Sequence, residues 1–347
     1  MNFKLLEIAV RRIMSGIAIF LIFYLLSLSL VNVIKNIQQN KREGFELHSF
    51  DFPDENNGWI KYRSNPVYGD ENSGSVFDPF VTEENNKLVM IVSNRKQNSL
   101  VKLSSVDGYN WGNQVTLLKR RENTWEHLVN RATFVKKDGV YYLWYTGQSP
   151  SVSKIGLAIS KDGVHYKRYE QNPVLEATLK SEGVSVMNPH VLWNHVINKF
   201  QMWYAAGENY EPDAIFYAES IDGVTWNKLD KPVLTKDISR GWETEKVGGC
   251  HVNILEDGTY EMYYIGYQNI HVARICYAQS KDGVEWIRNG YNLLLSPSKG
   301  KWDSSAVYKP TVVDFHGKKL MFYNGRKNVT EYIGLAIKQS KQNNLRH

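Results

Sequence analysis

Beyond residue 58 the chain alternates apolar and polar positions in short runs rich in β-branched and aromatic residues, such as "NKLVMIVSN", "VYYLWYTG" and "KFQMWYAAG". A period of two marks half-buried strands, and the Asp-Gly or Asn-rich pairs between the runs supply hairpin turns. The runs recur. "LWYTG", "MWYAAG", "MYYIG" and "MFYNG" place Trp144, Trp203, Tyr263 and Phe322 at spacings of 59, 60 and 59 residues. Each is followed by "IGLAIS", "IFYAES", "ICYAQS" or "IGLAIK", with Ile155, Ile215, Ile275 and Ile333 in step. Ser-x-Asp-Gly-x-x-aromatic then follows in three of them, and a degenerate first copy, "FDPFVTEENNKLVMIVSN" and "VKLSSVDGYNW", brings the count to five.

Each copy predicts four strands. Asp107, Asp162, Asp222 and Asp282 precede glycines that supply the positive φ of tight hairpin loops, so these aspartates read as turn formers rather than catalysts. Four-stranded units repeating at a fixed period predict an all-β fold, a five-bladed β-propeller. The last copy stops after "IGLAIKQSK" without an Asp-Gly strand, whereas "GWIKYRSNPV" from Gly58 is such a strand without a blade. Pairing residues 59–67 with Ile333–Ile337 would close the ring and remove an exposed sheet edge. Trp144, Trp203, Tyr263 and Phe322 fall mid-strand at the repeat period and are expected to pack between blades.

The N-terminal pattern is different. Ile13 to Ile34 run 22 residues without a charge, long enough as a helix to cross about 30 Å of hydrocarbon. The expected organisation is a leader over 1–12, a transmembrane helix over 13–34 in contact with the lipid bilayer, a polar stalk over 35–57 and the propeller over 58–347. Lys4, Arg11 and Arg12 before the span and Lys35, Lys41 and Arg42 after it leave the charge rule undecided. A short leader with one span favours a signal-anchor, with the propeller on the non-cytoplasmic side.

Net charge is +6, but residues 1–45 carry +4 of it. The remainder is nearly neutral and has no basic stripe, which argues against a nucleic-acid partner. Cys250 and Cys276 make neither a metal quartet nor a disulfide framework and read as buried thiols.

The innermost strands of a propeller begin together at one mouth of its central channel. Aligned there, the copies place Asp78, Arg131, Asn188, Gly249 and Lys309 in one slot and Phe80, Thr133, His190, His251 and Thr311 two positions later. Strand alternation would put both rows on one face. Glu182, Glu243, Glu245 and Asp303 lie just upstream, on the loops that lead into the inner strands. No metal-ligand spacing stands out, and no cofactor is expected.

The stretches "SVFDPFV", "MNPHVLW" and "WETEKVGGCHV", with the recurring "WY.G … IGLA.S.DG..W … NPV", resemble the five-bladed propeller enzymes of glycoside hydrolase families 43, 32 and 130, from Gly58 to about Lys338. The resemblance implies an acidic first-blade residue, matched by Asp78, a second acid on a middle blade, and a glutamate acid best matched by Glu245. The middle slot holds Asn188 instead. Glycosidic cleavage needs one carboxyl to protonate the leaving oxygen and a second to activate water or attack the sugar, and Asp78 and Glu245 are the candidate pair.

Arg131, His190, His251 and Lys309 would add more positive charge than a neutral sugar needs. They admit an acidic glycan, or inorganic phosphate as nucleophile in the manner implied by the mannoside phosphorylases of family 130. Asn188, Glu182, Glu243 and Asp303 complete the candidate binding set, and Trp125, Trp193, Trp242 and Trp302 are candidates for stacking on sugar faces. The expected function is a membrane-anchored glycosidase-like enzyme acting on an oligo- or polysaccharide, in surface polysaccharide metabolism. The alternatives are a catalytically inactive glycan-binding propeller and a phosphate-using enzyme.

Overall fold

A computed structural model describes residues 58–207 and 212–338. Residues 13–34, expected to span the membrane, lie outside them. Among the described residues no helix is long and apolar enough to cross a membrane.

The described chain opens with the short strand β1 (Trp59–Lys61). The first blade is β2 (Val76–Glu84), β3 (Lys87–Asn94), β4 (Ser99–Ser105) and β5 (Gly112–Lys119). The second is β6 (Leu128–Lys137), β7 (Val140–Gln148), β8 (Ser153–Ser160) and β9 (Lys167–Arg168). The third is β10 (Ser185–Asn194), β11 (Lys199–Gly207), β12 (Ala214–Ser220) and β13 (Asn227–Lys228). The fourth is β14 (Lys246–Ile254), β15 (Tyr260–Tyr267), β16 (Ala273–Ser280) and β17 (Leu293–Leu295). The fifth is β18 (Ala306–Phe315), β19 (Lys318–Lys327) and β20 (Thr330–Lys338), with β1 as its outer strand.

All five sheets are antiparallel and four-stranded, so the fold is the expected five-bladed propeller. β1 pairs with β20 in the register Trp59 with Lys338, Ile60 with Ile337 and Lys61 with Ala336. The Val67 amide reaches the Ile333 carbonyl at 2.8 Å, extending the same edge. Inner strands β2, β6, β10, β14 and β18 each touch the next, and β18 touches β2.

The core lies between blades. Trp144 and Trp203 are fully buried, and their indole Nε1 groups donate to the carbonyls of Gly223 and Gly283 in the following blade, at 2.9 and 2.8 Å. Those glycines sit in the Asp-Gly turns. Asp222 Oδ1 accepts from the amides of Val224 and Thr225, each at 2.8 Å, while the Gly223 amide donates to Ser220 Oγ. The repeat motif is therefore a turn that also receives the neighbouring blade's indole.

Candidate functional site

Each inner strand carries a β-bulge at the aligned slot, with register breaks at Phe77/Phe80, Asn130/Ala132, Met187/His190, Gly248/Cys250 and Tyr308/Thr311. Asp78, Arg131, Asn188 and Lys309 all have positive φ there, 58°, 32°, 55° and 52°, a conformation costly for non-glycine residues. Buried hydrogen bonds hold three of them. The Asp78 amide donates to Asn324 Oδ1 (3.0 Å), that of Arg131 to Ser93 Oγ (3.0 Å) and that of Asn188 to Thr146 Oγ1 (2.8 Å). In the fourth blade the slot is Gly249, where a Cβ would come within 2.8 Å of Asn188 Cβ.

The extra residue reverses strand parity downstream. The two aligned rows therefore do not share a face, contrary to the alternation expected from sequence. Asn188 and Lys309 line a cavity of about 470 Å³ at the leading ends of the inner strands. His190 and His251 instead line a cavity of about 700 Å³ at their trailing ends, with Trp193. Their rings are 4.5 Å apart, and His190 Nε2 lies 2.9 Å from the Val252 carbonyl. Burial holds His190 well below its ordinary range and lowers His251 to about 4, so both rings are neutral near pH 7.

Asp78 is not itself on the wall of the first cavity: it is buried, ion-paired with the wall residue Lys309 and 3.2 Å from Ser93 Oγ. Arg131 is buried and is not part of the cavity wall. Its Nη2 donates to the Cys250 carbonyl at 3.0 Å, and burial lowers its pKa against the opposing pull of Asp78. The structure thus brings Asn188 and Lys309 to one cavity, with Asp78 paired to Lys309 and Arg131 buried within the electrostatic reach of Asp78.

Glu245 is exposed and is not part of the cavity wall. Glu182, Glu243 and Asp303 are also absent from it, which corrects their assignment to substrate. Each is buried in a motif repeated in four blades. Tyr204, Tyr264 and Tyr323 donate to them at 2.6, 2.7 and 3.2 Å, and Lys228, Arg288 and Lys61 pair with them at 2.8, 2.9 and 2.7 Å. In the second blade Tyr145 and Arg168 hold Glu126 in the same way. Glu182 pays for burial but stays below its ordinary pKa through Lys228, Tyr204 and two backbone amides; for Glu243 burial wins and the pKa rises.

Three of the four candidate stacking tryptophans pack internally as well. Trp125 covers Gly147 and Gly156, Trp302 covers Gly325, and Trp242 packs at a tilt against Tyr291 and donates its Nε1 hydrogen to Asn292 Oδ1.

The cavity wall holds residues the repeat did not reveal. Glu331 is its one carboxylate among the described residues. It accepts from the Tyr308 hydroxyl at 2.6 Å and from Asn324 Nδ2 at 3.1 Å, so the same amide that fixes the Asp78 bulge also holds Glu331. Arg95 and Arg326 line the wall too. Arg326 and Glu331 face each other across the β19–β20 hairpin, at positions where the other copies carry unrelated residues, so no periodic signal marked them.

The sequence pattern of the glycosyl hydrolases family 32 N-terminal domain matches residues 101–247. An uncharacterised protein of Mycobacterium tuberculosis is 28% identical over 221 residues, covering 60% of this chain and 71% of that one. A 1,2-beta-oligomannan phosphorylase of a Thermoanaerobacter species is 30% identical over 151 residues, 39% of this chain and 48% of that one. Among solved structures, a thermostable family-43 glycoside hydrolase superposes with a TM-score of 0.65 at 18% identity, covering 80% of this chain and 93% of its own, a likeness of fold.

Proposed function

We propose, from the premise that the chain belongs to the five-bladed propeller superfamily of glycoside hydrolases, that it cleaves glycosidic bonds of an oligo- or polysaccharide in the cavity at the leading ends of the inner strands. The observation that carries this reading is that two of the four strained inner-strand bulges, at Asn188 and Lys309, open onto one cavity, with a third, at Asp78, ion-paired to Lys309 behind its wall. There Asn324 ties the Asp78 backbone to the Glu331 carboxylate. Strain of this kind is kept where the surrounding structure fixes a side chain for a task.

Two carboxyl groups are what cleavage requires. Asp78, ion-paired with Lys309, supplies one. Glu331 supplies the other from the wall, in the role that sequence assigned to Glu245. Asn188 stands where the resemblance implies an acid, and it can offer hydrogen bonds but no proton-transfer step. Water and phosphate are both tested as acceptors of the glycosyl group, because one relative is a phosphorylase. Residues 13–34 would anchor the enzyme, with the propeller on the non-cytoplasmic side and a surface polysaccharide as substrate. Protease accessibility of the propeller in intact cells tests that side.

The activity test uses the full chain in detergent with 1,2-linked β-oligomannan and with extracted surface polysaccharides, with and without phosphate. Asp78→Asn and Glu331→Gln should each lower turnover by about 10²- to 10⁴-fold, the scale of a lost proton-transfer group, while binding persists. Glu245→Gln should change turnover little. The Asn188 departure favours one second reading, a propeller that binds glycan without cutting it. Wild-type protein that binds these glycans but releases no product in either buffer would establish that reading and end the first.

A further inference from the structure

The cavity wall is more cationic than Asp78 and Glu331 explain. Its blade-one and blade-five quadrant gathers Arg95, Lys309 and Arg326 around two rings. Arg95 Cζ lies 4.6 Å from the Phe77 centroid, and Lys309 Nζ lies 5.6 Å from the same ring and 5.7 Å from that of Tyr308. Arg326 Cζ is 5.7 Å from the Tyr308 centroid.

Of the three, only Lys309 has a counter-ion among the described residues, Asp78. Glu331 is occupied by Tyr308 and Asn324. Between blades, by contrast, the cations Arg168, Lys228 and Arg288 each have a carboxylate within 2.9 Å. Arg326 is fixed rather than idle, since its Nη2 donates to the His271 carbonyl at 2.6 Å while its buried Nε has no partner.

Arg95, Lys309 and Arg326 against Asp78 and Glu331 leave one excess positive charge, and two guanidinium groups without an ion pair among the described residues focus its potential in a concave site. Their planar donor forks match carboxylate and phosphate oxygens. A neutral sugar would leave that potential unanswered.

We infer that the cavity reads an oxyanion carried by the sugar, a carboxylate or a phosphate ester, through Arg95 beside Phe77 and Arg326 beside Tyr308. This rests on the reading that a saccharide occupies the cavity, but it does not require that the saccharide be cut.

The full chain in detergent is applied to an array of neutral, uronate-bearing and phosphorylated glycans, and the best binders are followed by calorimetry beside inorganic phosphate, at low and physiological salt. Charged glycans should bind at least tenfold more tightly than their neutral counterparts, and less tightly as salt rises. Arg95→Ala and Arg326→Ala should each remove about tenfold or more of that gain, leaving neutral glycans unchanged, and the exposed Arg95 should be replaced without a change in melting temperature. Equal binding of charged and neutral glycans, or a gain untouched by both substitutions, overturns the inference. So does binding of inorganic phosphate with no preference for charged glycans. If charged glycans bind through the two arginines and no bond is broken, the inference stands and the enzymatic reading falls. Cleavage of neutral glycans without charge preference gives the reverse.

Discussion

Replacing Lys61 with methionine should loosen the ring at its seam. Lys61 is carried by β1, the strand that closes the fifth blade from the other end of the described chain. Its Nζ donates to Asp303 Oδ2 at 2.7 Å, to Ser298 Oγ at 2.7 Å and to the Ser296 carbonyl. Asp303 is only 1% exposed, and without Lys61 it would keep the Tyr323 hydroxyl at 3.2 Å and Ser298 Oγ at 3.5 Å. Removing one partner of a buried pair costs about 3–5 kcal/mol. Lys61 keeps 19% of its side chain exposed, so water can partly replace it and about 3 kcal/mol is expected.

At about 2–4 °C per kcal/mol for a large domain, that is a fall of about 6–12 °C in Tm. Lys228→Met is the internal comparison. Glu182 keeps two backbone amides at 2.8 Å and Tyr204 at 2.6 Å, and its blade is continuous in the chain, so the fall should be smaller. Only Lys61→Met should speed hydrogen exchange at the Tyr62 and Val67 amides, which bond to Leu335 and Ile333 across the seam. Adding Asp303→Asn removes the stranded charge and should restore at least half of the loss. A Lys61→Met protein within about 1 kcal/mol of wild type, or a double variant no more stable than the single, would refute the reasoning.

Gly223→Ala should destabilise by about 2 kcal/mol or more in a urea melt, because φ is +77° and the new Cβ would lie 2.9 Å from the Trp144 ring. Gly290→Ala, with φ of +54° and open space around its Cβ, should lose only the conformational part, about 1 kcal/mol. His251 titrates at about 4 in the fold against about 6.5 in the unfolded chain. The unfolded chain therefore takes up a proton first as pH falls, and stability present above about pH 6.5 drains away toward pH 4. The loss attributable to this residue is about 2 kcal/mol at pH 5, and His251→Gln should flatten that part of the pH–Tm curve; an unchanged slope would show that the ring does not carry the effect.

Sequence alone determined the blades. Period-two alternation and Asp-Gly turn chemistry act between residues a few positions apart, so each copy announces its own strands, and the 59- and 60-residue spacing sets their number. The orphan "GWIKYRSNPV" was legible because a blade lacking its outer strand is an unsatisfied edge. The slot shared by Asp78, Arg131, Asn188 and Lys309 was legible because the inner strand recurs in every copy, although the bulge it carries was not.

What each side chain faces was decided only in three dimensions. One extra residue at the bulge inverts the parity that alternation assumes, which carried His190 and His251 to the far cavity. Glu182, Glu243 and Asp303 look like free acids in the sequence because their tyrosine and cation partners lie between 20 and 242 residues away. The cavity's own chemistry, Glu331 on Tyr308 with Arg95 and Arg326 unpaired, comes from places where the copies differ. A repeat can specify the scaffold it shares, but the site is made of what each blade does not share, and only closure of the ring brings those residues to one wall.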